Sequence, residues 1–280
     1  MFRKTHREID NKVSHFDEYL SDPSVLSDYK MMSHIGKGCF STVSLAVHKE
    51  TGQNYAMKTY EKVDGMEWYR LDSIKREIKH LKRLEHPNVV RLISVVKDKK
   101  KLQLLMDNGG KQSLSGLLRK SKRFSEENAK MYMKQIIEAI SYCHERGVSH
   151  RDIKPENILV NDEGFVTVID FGFSASSNTK LTTYCGTPPF MCPEITKKVP
   201  YSGAAADVWA LGILLYMLVM GGLPFRATNE AELYRLIQQG KYPKREVFSK
   251  GLRNLLDKML CTDPTNRIAS KNLLSEPWLK

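Results

Sequence analysis

Cysteine is sparse in this sequence. There are five among 280 residues (Cys39, Cys143, Cys185, Cys192 and Cys261), odd in number, widely spaced and never arranged C-x-x-C. That pattern argues against a disulfide scaffold and a structural zinc site, and an intracellular location, cytoplasm or nucleus, is expected. The first eleven residues hold no apolar stretch of the kind a signal peptide needs. Internal repeats and low-complexity segments are lacking as well. Long uncharged runs are equally scarce: only residues 208–225 could be taken for a membrane span, at the lower edge of the required length. Gly212, Gly221, Gly222 and Pro224 interrupt that run, and Asp207 and Arg226 bound it. A buried core helix explains it better, so no membrane span is expected.

Charge, by contrast, is plentiful and unbalanced: 44 basic against 32 acidic residues give +12. Such an excess can serve nucleic acid or an anionic surface. Here the basic residues are scattered, with short runs only at Lys97-Asp98-Lys99-Lys100-Lys101 and Lys197-Lys198. Those runs carry no interleaved aromatics and read as solvated loops, so no specific nucleic acid is expected as a partner.

Residues 1–28 are polar and read as an extension with at most a short helix. From Tyr29 the pattern alternates around two glycines (Ile35, Gly36, Gly38, Phe40, Val43, Leu45, Val47), which predicts two strands joined by a turn. Thr51-Gly52 leads into a third strand through Lys58. A helix is predicted over 73–84 from Ile74, Ile78, Leu81 and Leu84, then strands around 89–96 and 101–106. Ser125 can cap a long helix, and Ile158-Leu159-Val160 with Val166-Thr167-Val168-Ile169 form a short hairpin around Asn161-Asp162-Glu163-Gly164. Helix and loop fill the remainder. A strand-rich first third and a helix-rich rest predict an α+β fold in two lobes.

Taken alone, Gly36-Lys37-Gly38-Cys39-Phe40-Ser41 is either an ordinary hairpin turn or a glycine-rich loop folding its N–H groups over a polyphosphate. A strand follows it, which excludes a dinucleotide fingerprint or a P-loop. Lys58 is either an exposed edge lysine or the partner of Glu77, which lies among the apolar positions of its helix and needs a cation if buried. The strongest segment is His150-Arg151-Asp152-Ile153-Lys154-Pro155-Glu156-Asn157, followed by Asp170-Phe171-Gly172. Asn157 and Asp170 offer hard oxygens suited to Mg²⁺. Asp152 can face an incoming hydroxyl.

With these motifs the chain resembles the eukaryotic protein kinases over residues 29–280. Tyr55-Ala56-Met57-Lys58, His86-Pro87-Asn88, Cys185-Gly186-Thr187-Pro188, Cys192-Pro193-Glu194, Asp207-Val208-Trp209 and Arg267 follow in the family's order. Lys154 and Thr187 mark the serine/threonine class. Gly221-Gly222-Leu223-Pro224-Phe225 and Glu276-Pro277-Trp278-Leu279 resemble the calcium/calmodulin-dependent and AMP-activated kinase group. Ser41 replaces the third loop glycine, Cys192 the usual alanine, and Lys111 stands where basophilic relatives carry a glutamate.

The resemblance implies a bilobal protein kinase fold, with a small β-rich N-lobe over about 29–106 and a large helical C-lobe over about 107–280. It implies an ATP-dependent serine/threonine protein kinase. Ile35, Gly36, Lys37, Gly38, Cys39, Phe40, Ser41, Thr42, Val43, Ala56 and Lys58 would bind ATP, with Leu105 or Met106 guarding the adenine pocket. Glu77 would hold Lys58, Asn157 and Asp170 would hold Mg²⁺, and Asp152 and Lys154 would act at the transferred group. Glu194 and Arg267 would form a buried ion pair. Thr183, or as second choice Thr182, would be phosphorylated by an upstream activating kinase and would pair with Arg151. The implied partners are protein substrates with Ser or Thr acceptors. A pseudokinase scaffold is disfavoured because Lys58, Asp152 and Asp170 are all present, and a small-molecule kinase because the segment from Cys185 to Glu194 matches a protein-substrate platform.

Overall fold

Alternating side chains over residues 41–61 give strands with buried positions, and the chain joins them to a largely exposed strand over residues 29–37 in an antiparallel sheet. The computed structural model describes residues 17–280 other than 39, 40, 62, 64, 65, 99, 177, 178 and 245. Its contacts divide the chain into two units, one running to Glu85 with Val90–Asn108, the other comprising His86–Val89 and Gly109–Lys280.

In the first unit the strands β1 (Tyr29–Lys37), β2 (Ser41–His48), β3 (Asn54–Glu61), β4 (Leu92–Lys97) and β5 (Lys101–Asp107) lie in the order β1-β2-β3-β5-β4. Helix α1 (Trp68–Leu81) buries Ile74, Glu77, Ile78 and Leu81. Ile74 and Ile78 join Tyr60, Val63, Val95, Leu102 and Leu104 in the main apolar cluster of this unit. The helix starts five residues before the predicted position and ends three before it. Trp68 and Tyr69 in its first turn are largely exposed, so they left no apolar period to read.

Two further differences involve the chain flanks. Residues 17–28, read as an extension, instead dock: Tyr19, Leu20 and Leu26 pack on the sheet's apolar clusters, and Ser21 N–H donates to the Val95 carbonyl at 2.7 Å. The strand predicted from 89 begins only at Leu92. Val89 pairs instead with Val168 of the second unit, where Val168 N–H donates to the Asn88 carbonyl at 2.8 Å.

The second unit opens with β6 (Gln112–Ser113), α2 (Leu114–Ser121) and α3 (Glu126–Glu145). Ser125 caps α3 by accepting from Asn128 N–H at 3.2 Å, and Glu126 and Glu127 sit at its positive end. After β7 (Val148–Ser149) comes the hairpin of β8 (Ile158–Val160) and β9 (Val166–Val168). Asn161 Oδ1 closes it by accepting from the N–H groups of Glu163 and Phe165. Beyond β10 (Ala175–Ser176) lie α4 (Pro193–Thr196), α5 (Gly203–Met220), α6 (Glu230–Gln239), α7 (Lys250–Met259) and α8 (Ser270–Leu273).

Helix α5 contains most of the uncharged run and has a mean hydropathy of 1.8 over 18 residues, 78% of them buried inside the unit. It is long and apolar enough to cross a membrane by composition, but its side chains are spent on internal packing. Gly212 permits that: a Cβ there would come within 2.8 Å of Leu260 Cδ2. Gly221, at φ 72°, ends the helix in the left-handed region.

The expected ion pair is formed and buried. Arg267 Nη1 and Nη2 donate to Glu194 Oε1 and Oε2 at 3.1 and 2.9 Å, Nη1 also reaches the Ala205 carbonyl, and Nε donates to the Cys261 carbonyl. All three guanidinium nitrogens are therefore engaged, with the carbon 5.2 Å from the Trp209 ring centroid. Arg267→Ala strands the Glu194 carboxylate in the core. Removing one partner of such a pair costs about 3–5 kcal/mol, and chemical denaturation is expected to show that loss.

Candidate active site

Strand alternation decides what Lys58 faces. In the registers of β2, β3 and β5, Val43 lies opposite Lys58, Leu45 opposite Ala56, Leu104 opposite Lys58 and Met106 opposite Ala56. Cross-strand partners share a face, so Val43, Ala56, Lys58 and Met106 line one side of the sheet. Leu105 sits on the other, clustered with Ala46 and Met57. Of the two residues left open by the sequence, Met106 is the one on the Lys58 face.

On that face Lys58 Nζ donates to Glu77 Oε1 at 2.7 Å, and the Tyr60 hydroxyl donates to Glu77 Oε2 at 2.7 Å. Glu77 is 2% exposed. A carboxylate in that position is tolerable because both oxygens have donors, one of them cationic. Burial, and then the neighbouring Glu77 charge, push the Tyr60 phenol far above its usual range, so it stays a donor. The glycine turn is held by Gly38 N–H donating to the Ser41 carbonyl at 2.8 Å, with Gly36 opposite Val43 and Lys37 opposite Thr42. Ile35 is half exposed on β1. Cys39 and Phe40 lie outside the described residues.

The second unit gathers the other predicted residues on the loops around the β8–β9 hairpin. Lys154 Nζ donates to Asp152 Oδ2 at 2.7 Å and to Thr187 Oγ1 at 2.9 Å. The Thr187 hydroxyl passes its own hydrogen to Asp152 Oδ1 at 2.8 Å. Asn157 Nδ2 donates to Asp152 O at 2.8 Å and to Oδ2 at 3.0 Å. Both carboxylate oxygens of Asp152 thus point in fixed directions. With its amide nitrogen committed to Asp152, Asn157 turns Oδ1 to the opposite side as the free acceptor.

Asp170 follows directly after Ile169, whose N–H donates to the Asn157 carbonyl at 3.0 Å and whose carbonyl accepts from His150 Nε2 at 3.0 Å. Those bonds bring Asn157 and Asp170 alongside each other. Asp170 is exposed and has φ 63°, a left-handed conformation that aspartate tolerates. Among the described residues no three His, Cys, Asp or Glu side chains converge as a self-sufficient metal cage. One carboxylate and one amide oxygen instead match a hard cation that completes its shell with water and phosphate oxygens, and Mg²⁺ fits that donor set.

Arg151, at φ 67°, is the costlier exception to ordinary backbone geometry. Asp207 holds it there: Oδ2 accepts from His150 N–H at 2.8 Å and Oδ1 from Arg151 N–H at 2.7 Å. Phe171, fully buried, lies against the His150 ring with centroids 4.8 Å apart. The protein kinase domain model matches residues 29–279. The chain belongs to the protein kinase family.

Curated kinases similar to it include CBL-interacting serine/threonine-protein kinase 26 of Arabidopsis thaliana, 38% identical over 257 residues, covering 90% of this chain and 58% of that protein. CBL-interacting protein kinase 19 of Oryza sativa subsp. japonica is 38% identical over 261 residues, 91% of this chain and 51% of its own length. CBL-interacting protein kinase 11 of the same rice is 36% identical, with 91% and 52% covered. The chain therefore spans about half the length of these relatives.

One residue in each unit escaped the sequence reading. Tyr60 lies two positions after Lys58 on the same strand, so period-2 alternation alone could have placed it beside Glu77. Asp207 carried no local sign of its task, because its partners are 56 and 57 residues away. Tyr60→Phe keeps the ring and deletes one donor to Glu77. A hydrogen bond to a charged group is worth about 1.5–3 kcal/mol, and a stability loss in that range by denaturant titration is expected, with Lys58→Met and Tyr60→Phe non-additive in a double-mutant cycle.

Proposed function

We propose that the chain is an ATP-dependent serine/threonine protein kinase that transfers the γ-phosphate of Mg-ATP to a Ser or Thr hydroxyl of protein substrates. The observation that carries this reading is the Asp152 carboxylate, oriented on both oxygens by Lys154, Thr187 and Asn157. Such positioning, with electrostatic stabilisation, is most of what phosphoryl transfer asks of a protein. The name of the Arabidopsis relative, a serine/threonine-protein kinase, supports the same class.

Bound Mg-ATP supplies the transferable phosphoryl group and a cation that neutralises charge on its oxygens. The chain supplies the rest. Asp152 orients the acceptor hydroxyl and takes its proton on a carboxylate oxygen. Lys154, already bonded to Asp152, brings positive charge beside the acceptor. Lys58, held by Glu77, would bind phosphate oxygens beside the glycine turn of Gly36 and Gly38. Ala56 and Met106 line the same face as Lys58 and meet the adenine. Asn157 and Asp170 hold Mg²⁺.

Thr183 is the activating site in this reading, modified by an upstream kinase. It is exposed, and Arg151 Nη1 lies 3.3 Å from its carbonyl oxygen, which favours it over Thr182. A phosphate there adds about −1.5 to −2 charges beside an arginine fork. Lys111 is engaged with Asp162 at 2.5 Å, while Glu156, bonded by Ser115 Oγ at 3.0 Å, is the exposed carboxylate that a basic substrate side chain would meet. An intracellular location goes with this reading, since the cysteines are few and widely spaced.

Asp152→Asn removes the proton acceptor while preserving shape. Phosphate transfer from Mg-ATP to Ser/Thr peptides is expected to fall at least about 10²-fold, the lower range for general-base loss, with nucleotide binding retained; near-normal transfer refutes the assignment. Thr183→Ala is expected to lower activity about tenfold or more, the worth of one charge-assisted hydrogen bond at about 1.5 kcal/mol. Activity assays on phosphorylated and phosphatase-treated protein, with the site read by mass spectrometry, check it. Full activity with Thr182 and Thr183 both unmodified removes the switch.

A further inference from the structure

The guanidinium of Arg151 is the seat offered to a phosphate on Thr183, yet it is already employed. Nε donates to the Phe173 carbonyl at 2.6 Å, and Nη1 reaches both the Thr183 carbonyl at 3.3 Å and the Tyr201 hydroxyl at 3.1 Å. The Tyr201 hydroxyl in turn donates to the Thr183 carbonyl at 2.9 Å. The same residue grips the segment a second time through its backbone. Leu181 N–H donates to the Tyr201 carbonyl at 2.8 Å, and Tyr201 N–H returns a bond to the Leu181 carbonyl at 3.0 Å.

Other contacts make the stretch around Tyr201 a fixed rail. The Tyr184 hydroxyl donates to the Lys198 carbonyl at 2.7 Å. Gly203 approaches so closely that a Cβ there would lie 2.7 Å from Ser149 Cβ and 3.1 Å from Leu181 Cδ1. Tyr201 itself is 1% exposed. Burial holds its phenol up at about 12 despite the opposing pull of Arg151, so it remains an O–H donor at neutral pH.

We propose that Tyr201 is a positioning residue: its hydroxyl, shared by Arg151 and the Thr183 carbonyl, sets residues 181–184 in register with the catalytic loop. In the unmodified chain it supplies part of the order that a phosphate on Thr183 would otherwise supply. The inference rests on the kinase reading and on Thr183 as its switch. It predicts that deleting the hydroxyl makes the segment lean on the phosphate.

The test compares wild type and Tyr201→Phe, each phosphatase-treated and each phosphorylated at Thr183. It measures kcat, the KM for a Ser/Thr peptide, the KM for ATP and the hydrogen exchange of amides 182–185. In the phosphatase-treated variant the peptide KM is expected to rise about fivefold, the worth of one neutral hydrogen bond. Exchange at 182–185 should quicken, while the ATP KM stays put. In the phosphorylated variant the gap should close to within twofold. Unchanged peptide KM and exchange overturn the proposal, as does a parallel loss in peptide and ATP KM, which marks a merely structural role. A gap of the same size with and without phosphate overturns the sharing of work with Thr183. If wild type is equally active in both states while the variant still raises the peptide KM, the Thr183 switch falls and the positioning role stands. If no form transfers phosphate, the kinase reading falls, and the exchange of amides 182–185 still decides the role of Tyr201.

Discussion

Asp207 is the last charged residue before the apolar run of α5, and its carboxylate is 1% exposed. Left alone, a buried carboxylate would be untenable. It is satisfied by the N–H groups of His150 and Arg151 and by His144 Nε2 at 2.8 Å. Since the carboxylate can only accept, Nε2 of His144 carries a hydrogen, and Nδ1 is paired with Ser270 Oγ at 2.8 Å. The long buried helix α5 thus holds the backbone just before Asp152. That grip also sustains Arg151 in its left-handed conformation, which turns the guanidinium toward Phe173 and Thr183.

The same device recurs with different partners. Glu77 is neutralised by Lys58 and Tyr60 in the first unit, and Glu194 by Arg267 in the second. In each case a carboxylate is taken out of water and every oxygen is given a donor. The consequence is geometric more than energetic, because a buried pair gains little over an apolar replacement but is costly to break. Lys58 and the backbone of His150 and Arg151 are held in single orientations, which the proposed contact with phosphate and hydroxyl oxygens would require.

Asp152 differs from these three in its partners. Lys154 and Thr187 donate to it through a contact they also share with each other. Thr187 belongs to the segment that runs on from Thr183, and Tyr201 fastens that segment upstream. The carboxylate that would accept a proton and the stretch that would be modified are therefore parts of one hydrogen-bonded chain. Arg151, next to Asp152 in the chain, touches the Thr183 carbonyl at 3.3 Å and so links the two.

How much of this was legible beforehand follows from the range of the forces involved. The β8–β9 hairpin, the capped helix α3 and the strands around the glycine turn depend on side-chain period and on turn residues a few positions apart, and all three could be read from the sequence. So could Asp152, Asn157 and Asp170 as a group, because a hairpin of short reach brings them together. The start of α1 at Trp68 was not legible, since exposed aromatics leave no apolar period. Nor was the docking of residues 17–28, which depends on apolar clusters assembled from several strands and α1. The choice of Met106 over Leu105 needed the register of three strands. The tasks of Asp207 and Tyr201 needed contacts between residues from 18 to 57 positions apart. Local sequence determined which chemical groups the chain carries and the elements that bear them. Tertiary packing alone decided which buried donors meet which carboxylate, because that pairing depends on where distant segments come to rest.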